Sequence, residues 1–172
     1  MHEYAITILG RDRPGIIADV TAVLAGLGLN LTDSSMTLLR GHFAMTLVCA
    51  GEASPAAVES RLAEVTVGGA LMADVRELTA EPAALPAGGH YVLSLHGADR
   101  LGIVAAVSRV LADAGGNVTD LSTRLVDGLY VVVAEVDLQS TVDIEQLTER
   151  LRTVASSLGV EVSLRPAETD LL

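Results

Sequence analysis

The chain has 172 residues, half of them apolar but only 2% aromatic, so any core must be built from Val, Leu, Ile and Ala. A formal net charge of −11 excludes the basic patches that phosphate-backbone binding needs and disfavours an anionic membrane surface. A single cysteine, Cys49, excludes an internal disulfide framework and any multi-cysteine zinc site.

The chain opens on Met1-His2-Glu3-Tyr4, which lacks a basic segment followed by an apolar one, and no apolar run approaches the roughly 20 residues that span a bilayer. The expectation is a soluble, cytoplasmic protein. Tyr4, Ile6 and Ile8 alternate with Ala5, Thr7 and Leu9, which predicts a strand. The loop Gly10-Arg11-Asp12-Arg13-Pro14-Gly15 follows, and Ile16, Ile17, Val20, Leu24 and Leu27 then recur at helical spacing up to Gly28, a natural helix stop. Asn30–Leu39 and His42–Ala50 are strand-like runs around a Gly41 hairpin turn. Ser54-Pro55 opens a second helix with Val58, Leu62 and Val65 inward, and Ala70–Thr79 closes the unit as a strand.

The stretch Ala80–Gly89, with two prolines and a terminal Gly-Gly, reads as a linker. The same order then recurs: strands at Tyr91–His96, Asn117–Val126, Leu129–Asp137 and Val160–Leu164, a first helix carrying Leu101, Val104, Val107, Leu111 and Ala114, and a second opened by Asp143-Ile-Glu-Gln146 with Ile144, Leu147, Leu151, Val154 and Leu158 inward. Residues from Pro166 onward read as a loose tail. The second copy follows 87 positions after the first, and about half of residues 12–43 are identical to their mates without a gap. The expected domains are module 1 at 1–79, a linker at 80–89, module 2 at 90–165 and a tail at 166–172. The fold class is α+β: two ferredoxin-like βαββαβ modules, each a four-stranded antiparallel sheet with two helices on one face. The other face of each sheet is left bare, and it or the sheet edges should pack on the sister module or on another chain.

The doubled glycine loop is the functional candidate. A helix start offers free N–H groups and a positive dipole end that suit a carboxylate. Asp12 or Asp33 suits an ammonium, and the Asn30 amide can both donate and accept. Together these match a free amino acid, provided the strand starts at Asn30 and Asn117 meet the loops. Antiparallel return puts that meeting in question. The plainer alternative is the one this chemistry alone favours: Asp as a helix N-cap, Gly and Asn as turn residues, Arg13 and Arg100 solvated. Glu135-Val-Asp137 is not a phosphatase motif, since Glu holds the nucleophile position. There is no P-loop, Gly-x-Gly-x-x-Gly or Gly-x-Ser-x-Gly. The four histidines lack ligand spacing, although His96 ends the strand before the second glycine loop. Cys49 reads as an inert buried thiol. No nucleophile–base pair stands out, so no catalytic residue, metal or cofactor is expected.

The order βαββαβ, the loop Asp-Arg-Pro-Gly-Ile before an amphipathic helix, and Gly-x-Asn-x-x-Asp at the next strand resemble the ACT domain. Two such modules filling nearly the whole chain resemble the glycine cleavage system transcriptional repressor family. The resemblance implies a non-catalytic regulatory protein that senses a small amino acid of the serine or glycine class at ACT–ACT interfaces. It would act through a protein partner, as a homodimer, in transcriptional control of amino-acid metabolism and without touching nucleic acid or membrane itself. The alternative is a ligand-independent interaction module that docks on a metabolic enzyme or regulator. By motif matching, the carried-over positions are Asp12, Gly15, Asn30 and Asp33 with their mates Asp99, Gly102, Asn117 and Asp120. Their neighbours Arg13, Ile16, Leu31, Ile103 and Val118 complete the candidate ligand-binding set. The second copy departs at Leu101 for Pro14, Gly116 for Leu29 and Leu121 for Ser34.

Overall fold

A computed structural model describes residues 1–79 and 88–167. The chain divides into two compact units, Met1–Pro82 and Ala83–Leu172, each with its own core. The first unit runs β1 (His2–Arg11), α1 (Ile16–Gly26), β2 (Asn30–Leu39), β3 (His42–Gly51), α2 (Pro55–Val65) and β4 (Leu71–Glu77). The second runs β5 (Gly88–Ala98), α3 (Ile103–Asp113), β6 (Asn117–Val126), β7 (Leu129–Gln139), α4 (Ile144–Ser157) and β8 (Val160–Pro166). Each forms one antiparallel sheet, in the orders β2-β3-β1-β4 and β6-β7-β5-β8.

The sequence pattern dictates which sheet face is covered. Tyr4, Ile6 and Ile8 of β1 and Met45, Leu47 and Cys49 of β3 point to one side and are buried, together with Ile16, Val20 and Leu24 of α1 and Val58 and Leu62 of α2. The second unit repeats this with Leu93, Leu95, Val132, Ala134 and Val136 under Val107, Leu111, Leu147 and Leu151. The buried Tyr4 keeps its hydroxyl satisfied by donating to the Ala53 carbonyl at 2.5 Å.

Turns explain the register. Arg40 and Gly41 have φ of 49° and 80°, and Asp127 and Gly128 have 52° and 83°, so both hairpins turn on two left-handed residues. That backbone matches the strand twist and fixes the pairing. Helices α1 and α3 end identically: Leu29 N–H bonds Leu24 O, Gly28 N–H bonds Ala25 O, and Gly116 and Gly115 do the same to Leu111 and Ala112. A side chain at Gly116 would stand 2.8 Å from Leu138 Cδ2. The departure from Leu29 is therefore a packing requirement.

Two boundaries differ from the sequence expectation. Gly88 and Gly89, assigned above to the linker, are the first residues of β5 and pair with Gln139 and Leu138. Their lack of side chains serves proximity, not freedom. A Cβ on Gly88 would lie 1.8 Å from Leu138 O, and one on Gly89 would lie 2.7 Å from the Tyr91 ring. Pro166, assigned to the tail, pairs with Tyr91 on the edge strand β8, where a missing N–H costs no ladder bond, and Ala167 N–H bonds His90 O at 2.8 Å. The rest of the expected linker, 80–87, and of the tail, 168–172, lies outside the described residues.

Candidate functional site

Four helices start in two different ways. Helices α2 and α4 are capped by side chains: Ser54 Oγ accepts from Ala57 N–H at 3.4 Å, and Asp143 Oδ1 accepts from Gln146 N–H at 3.0 Å. Helices α1 and α3 are not. Their N-cap residues are Gly15 and Gly102, with φ of 91° and 89°, and neither receives a side-chain cap. Asp12 and Asp99 therefore do not serve as N-caps. The first N–H groups of α1 and α3 point outward without an intrahelical partner.

Each tip is held from below. Gly10 approaches the β4 start so closely that a Cβ would lie 2.1 Å from Ala70 O, and Gly97 meets Val160 in the same way. Asp12 N–H bonds Gly41 O at 3.0 Å, which ties the loop to the β2–β3 turn. A concave pocket opens at each tip. The first, about 460 Å³, is lined by Asp12, Arg13, Gly15, Ile16, Met36 and Phe43 among others. The second, about 480 Å³, is lined by Asp99, Arg100, Gly102, Ile103, Val104 and Tyr130 among others. The structure thus brings Asp12, Arg13, Gly15 and Ile16 together, and Asp99, Gly102 and Ile103 together.

It does not bring the strand segments to them. Both β1 and β2 run antiparallel to β3, so they are parallel to each other and begin at the same end of the sheet. Asn30 pairs with Ala50, opposite Glu3, whereas the loop follows Arg11, opposite His42. Eight residues of strand separate those levels, roughly 25 Å. Asn30, Leu31 and Asp33 therefore lie at the far end from the first pocket. Asn117, Val118 and Asp120 are likewise remote from the second, with Val118 packed on the core.

That far end of the second sheet carries a cluster the sequence reading passed over. His90 Nδ1 lies 2.6 Å from Asp137 Oδ1 and Nε2 lies 3.5 Å from Glu135 Oε2. Asn117 is in register with Asp137, and Asp120 with Glu135. The hydrogen bond to Asp137, and after it the two carboxylate charges, raise the His90 pKa above its ordinary value. The group is not arranged to hold a metal ion. His96 is engaged by Glu161 at 3.3 Å and lines neither pocket. Burial pushes the Cys49 thiol pKa up, as suits an unreactive core residue.

The two tips differ in their arginines. Arg13 Nη2 is paired with Asp19 Oδ2 at 2.8 Å, and its Nη1 donates to Pro14 O at 3.2 Å. The mate of Asp19 is Ala106, and Arg100 makes no ion pair among the described residues. Arg100, absent from the candidate set, thus has the freer guanidinium. The Asp19/Ala106 mismatch in the repeat alignment is the signal that would have found it.

Comparison with known proteins agrees with this architecture. Residues 3–68 and residues 91–155 each match the ACT domain. A UPF0237 protein of Methanocaldococcus jannaschii is 39% identical over 72 residues, 41% of this chain and 80% of that protein. A UPF0237 protein of Pyrobaculum aerophilum is 42% identical over 74 residues, 42% and 82% of the two chains. Among solved structures, an unknown protein from Galdieria sulphuraria superposes with a TM-score of 0.82 at 25% identity, covering 96% of this chain and 98% of its own. A protein named, provisionally, a glycine cleavage system transcriptional repressor gives 0.73 at 21% identity, covering 96% and 97%. No helix among the described residues is long and apolar enough to cross a membrane.

Proposed function

The chain belongs to the ACT-domain family, and from that premise we propose that it is a non-catalytic regulatory protein that senses a small amino acid of the serine or glycine class. The observation that carries this reading is the pair of glycine-capped helix tips. Each leaves backbone donors uncapped beside a pocket that also holds a carboxylate, Asp12 or Asp99. Donors for a carboxylate and an acceptor for an ammonium are what a zwitterion requires.

A site that also uses Asn30 and Asp33, or Asn117 and Asp120, needs the strand start of one ACT module set against the loop of another running the opposite way. Strand β2 suits such pairing: it is a sheet edge, with Leu31, Met36 and Leu38 exposed along it. Pairing through this edge is the basis for proposing a homodimer. The net charge of −11 favours a protein partner over nucleic acid as the output. Control of transcription in amino-acid metabolism is part of the proposal, and it rests on the sequence resemblance.

The expected affinity is about 10 μM to 1 mM, or about −7 to −4 kcal/mol, within what so small a ligand can supply. At a hundredfold excess over Kd, binding stabilises the fold by about 2.7 kcal/mol. A thermal-shift screen of the twenty amino acids should therefore show a Tm rise of roughly 5 °C or more for glycine, serine or a close relative. A flat screen would remove amino-acid sensing and leave a ligand-independent docking module.

A further inference from the structure

We propose that the helix-free face of the first sheet is where two copies of this chain meet, packed face to face about a two-fold axis that runs along the strands. Such packing is independent of amino-acid sensing, and it leaves the β2 edge free for the pairing described above.

Along β1 and β3 every second residue faces the helices, and the residues between them form the other face. Cross-strand register sorts these into rows across β2, β3, β1 and β4. One row is Thr37, Ala44, Leu9 and Met72; the next is Ser35, Thr46, Thr7 and Asp74; the third is Asp33, Val48, Ala5 and Arg76. Leu9 and Met72 are 44% and 66% exposed, and Leu39, above them on β2, is 51% exposed. In these rows the two central strands carry no charge, and their side chains are short enough for sheets stacked about 10 Å apart. The second sheet differs at the matching positions: Leu9, Val48 and Ala50 are replaced by His96, Glu135 and Asp137. Covering that face would bury carboxylates on a central strand, which is costly. The first face is the one suited to being covered.

The rows are complementary to themselves. A two-fold axis along the strands sets β1 over the partner's β3 and β4 over the partner's β2, with the rows in step. Leu9 then meets the partner's Ala44, and Val48 meets the partner's Ala5, large against small in both. Asp74 can accept from the partner's Ser35 hydroxyl, and Arg76 meets the partner's Asp33. Arg76 already holds Asp74 through Nε at 2.9 Å, but a guanidinium has five donors. Each of these contacts is made twice. Asp33, Asp74 and Arg76 leave the three rows with a net charge of −1 in a chain of −11, so two acidic chains can meet here with little like-charge contact. Four strands about 4.8 Å apart, over the length from Glu3 to Arg11, cover roughly 500 Å² per copy. The pair therefore buries about 1,000 Å² before side-chain relief is counted, the size at which specific interfaces begin.

The test is sedimentation equilibrium of the full chain from about 1 to 200 μM, with melting curves to confirm folding. The natural chain should associate. Thr7→Glu, which sets a carboxylate against the partner's Thr46, should halve the assembly mass or raise its dissociation constant at least about tenfold. Halving is read whether or not β2 edges also pair, as four chains to two or two to one. Ser94→Glu, the matching change on the second sheet, should leave the mass as it is. Asp33→Arg and Arg76→Asp should each weaken association, and the two together should restore it. Where Thr7→Glu fails to melt cooperatively, this charge exchange decides. A natural chain that stays monomeric, an unchanged mass in Thr7→Glu, an equal loss from Ser94→Glu, or a double reversal no better than either single change would overturn the proposal. So would a Thr7→Glu chain that loses stability with no change in mass, because the cover would then come from the same chain.

Discussion

Asp12 and Asp99 stand just ahead of a helix, where an acid often caps it, yet Gly15 and Gly102, three residues later, hold the N-cap positions. The difference matters because a capping carboxylate would consume the donors a ligand needs. Asp and Gly were both legible in sequence, but which of them caps is a matter of backbone angle, and no periodicity encodes that. His90 is the other residue whose role emerges only from cross-strand register. Its imidazole faces Asp137 and Glu135 on β7, with Asn117 and Asp120 beyond them on β6. The folded-state pKa is raised, so the folded chain holds the proton more tightly than the unfolded one. That contribution is complete below the ordinary value of 6.5 and is lost as pH rises through the folded value above it. The Tm difference between the natural chain and His90→Gln should therefore be largest below pH 6.5 and shrink as pH rises above it. A difference that does not vary over that range would show that the pair does not couple to folding.

At the scale of elements, the alternation of Tyr4, Ile6 and Ile8 and the spacing of Ile16, Val20 and Leu24 were enough to place strand, loop and helix, because each pattern buries one face and only one. Ends were less legible. Gly-Gly after two prolines has the composition of a linker, and only pairing with β7 reveals that Gly88 and Gly89 belong to a strand. The two readings predict opposite outcomes for Gly88→Ala. In a flexible linker the change is neutral or mildly stabilising. In β5 the new methyl meets Leu138 O and should cost about 1–3 kcal/mol, read from chemical denaturation. The same kind of limit hid the separation of Asn30 from Gly15. Their motifs are close in sequence, but α1 returns the chain to the start of the sheet before β2 begins, so sequence proximity places them at opposite ends.

For the whole molecule, duplication accounts for the resemblance of the two modules, and divergence for the differences between their tips. Gly10, Gly15 and Gly28 recur as Gly97, Gly102 and Gly115, all at positions set by close approach or left-handed backbone. Asp19, Met36 and Phe43 do not recur: Met36 and Phe43 line the first pocket, and Asp19 pairs with Arg13 beside it. Keeping the frame while changing the lining gives one fold two differently lined pockets. A ligand can then shift the association of modules only by its differential affinity for the arrangements they adopt.

The most direct measurement is calorimetric titration of glycine and L-serine into the full chain and into the double variant Gly15→Ala, Gly102→Ala. A methyl has space at both tips but needs a left-handed backbone there and stands in the approach to the helix amides. The account predicts saturable heat in the natural chain with a Kd of about 10 μM to 1 mM, and its loss in a double variant that still melts cooperatively. Absence of heat in the natural chain, or undiminished binding in the folded double variant, would contradict it.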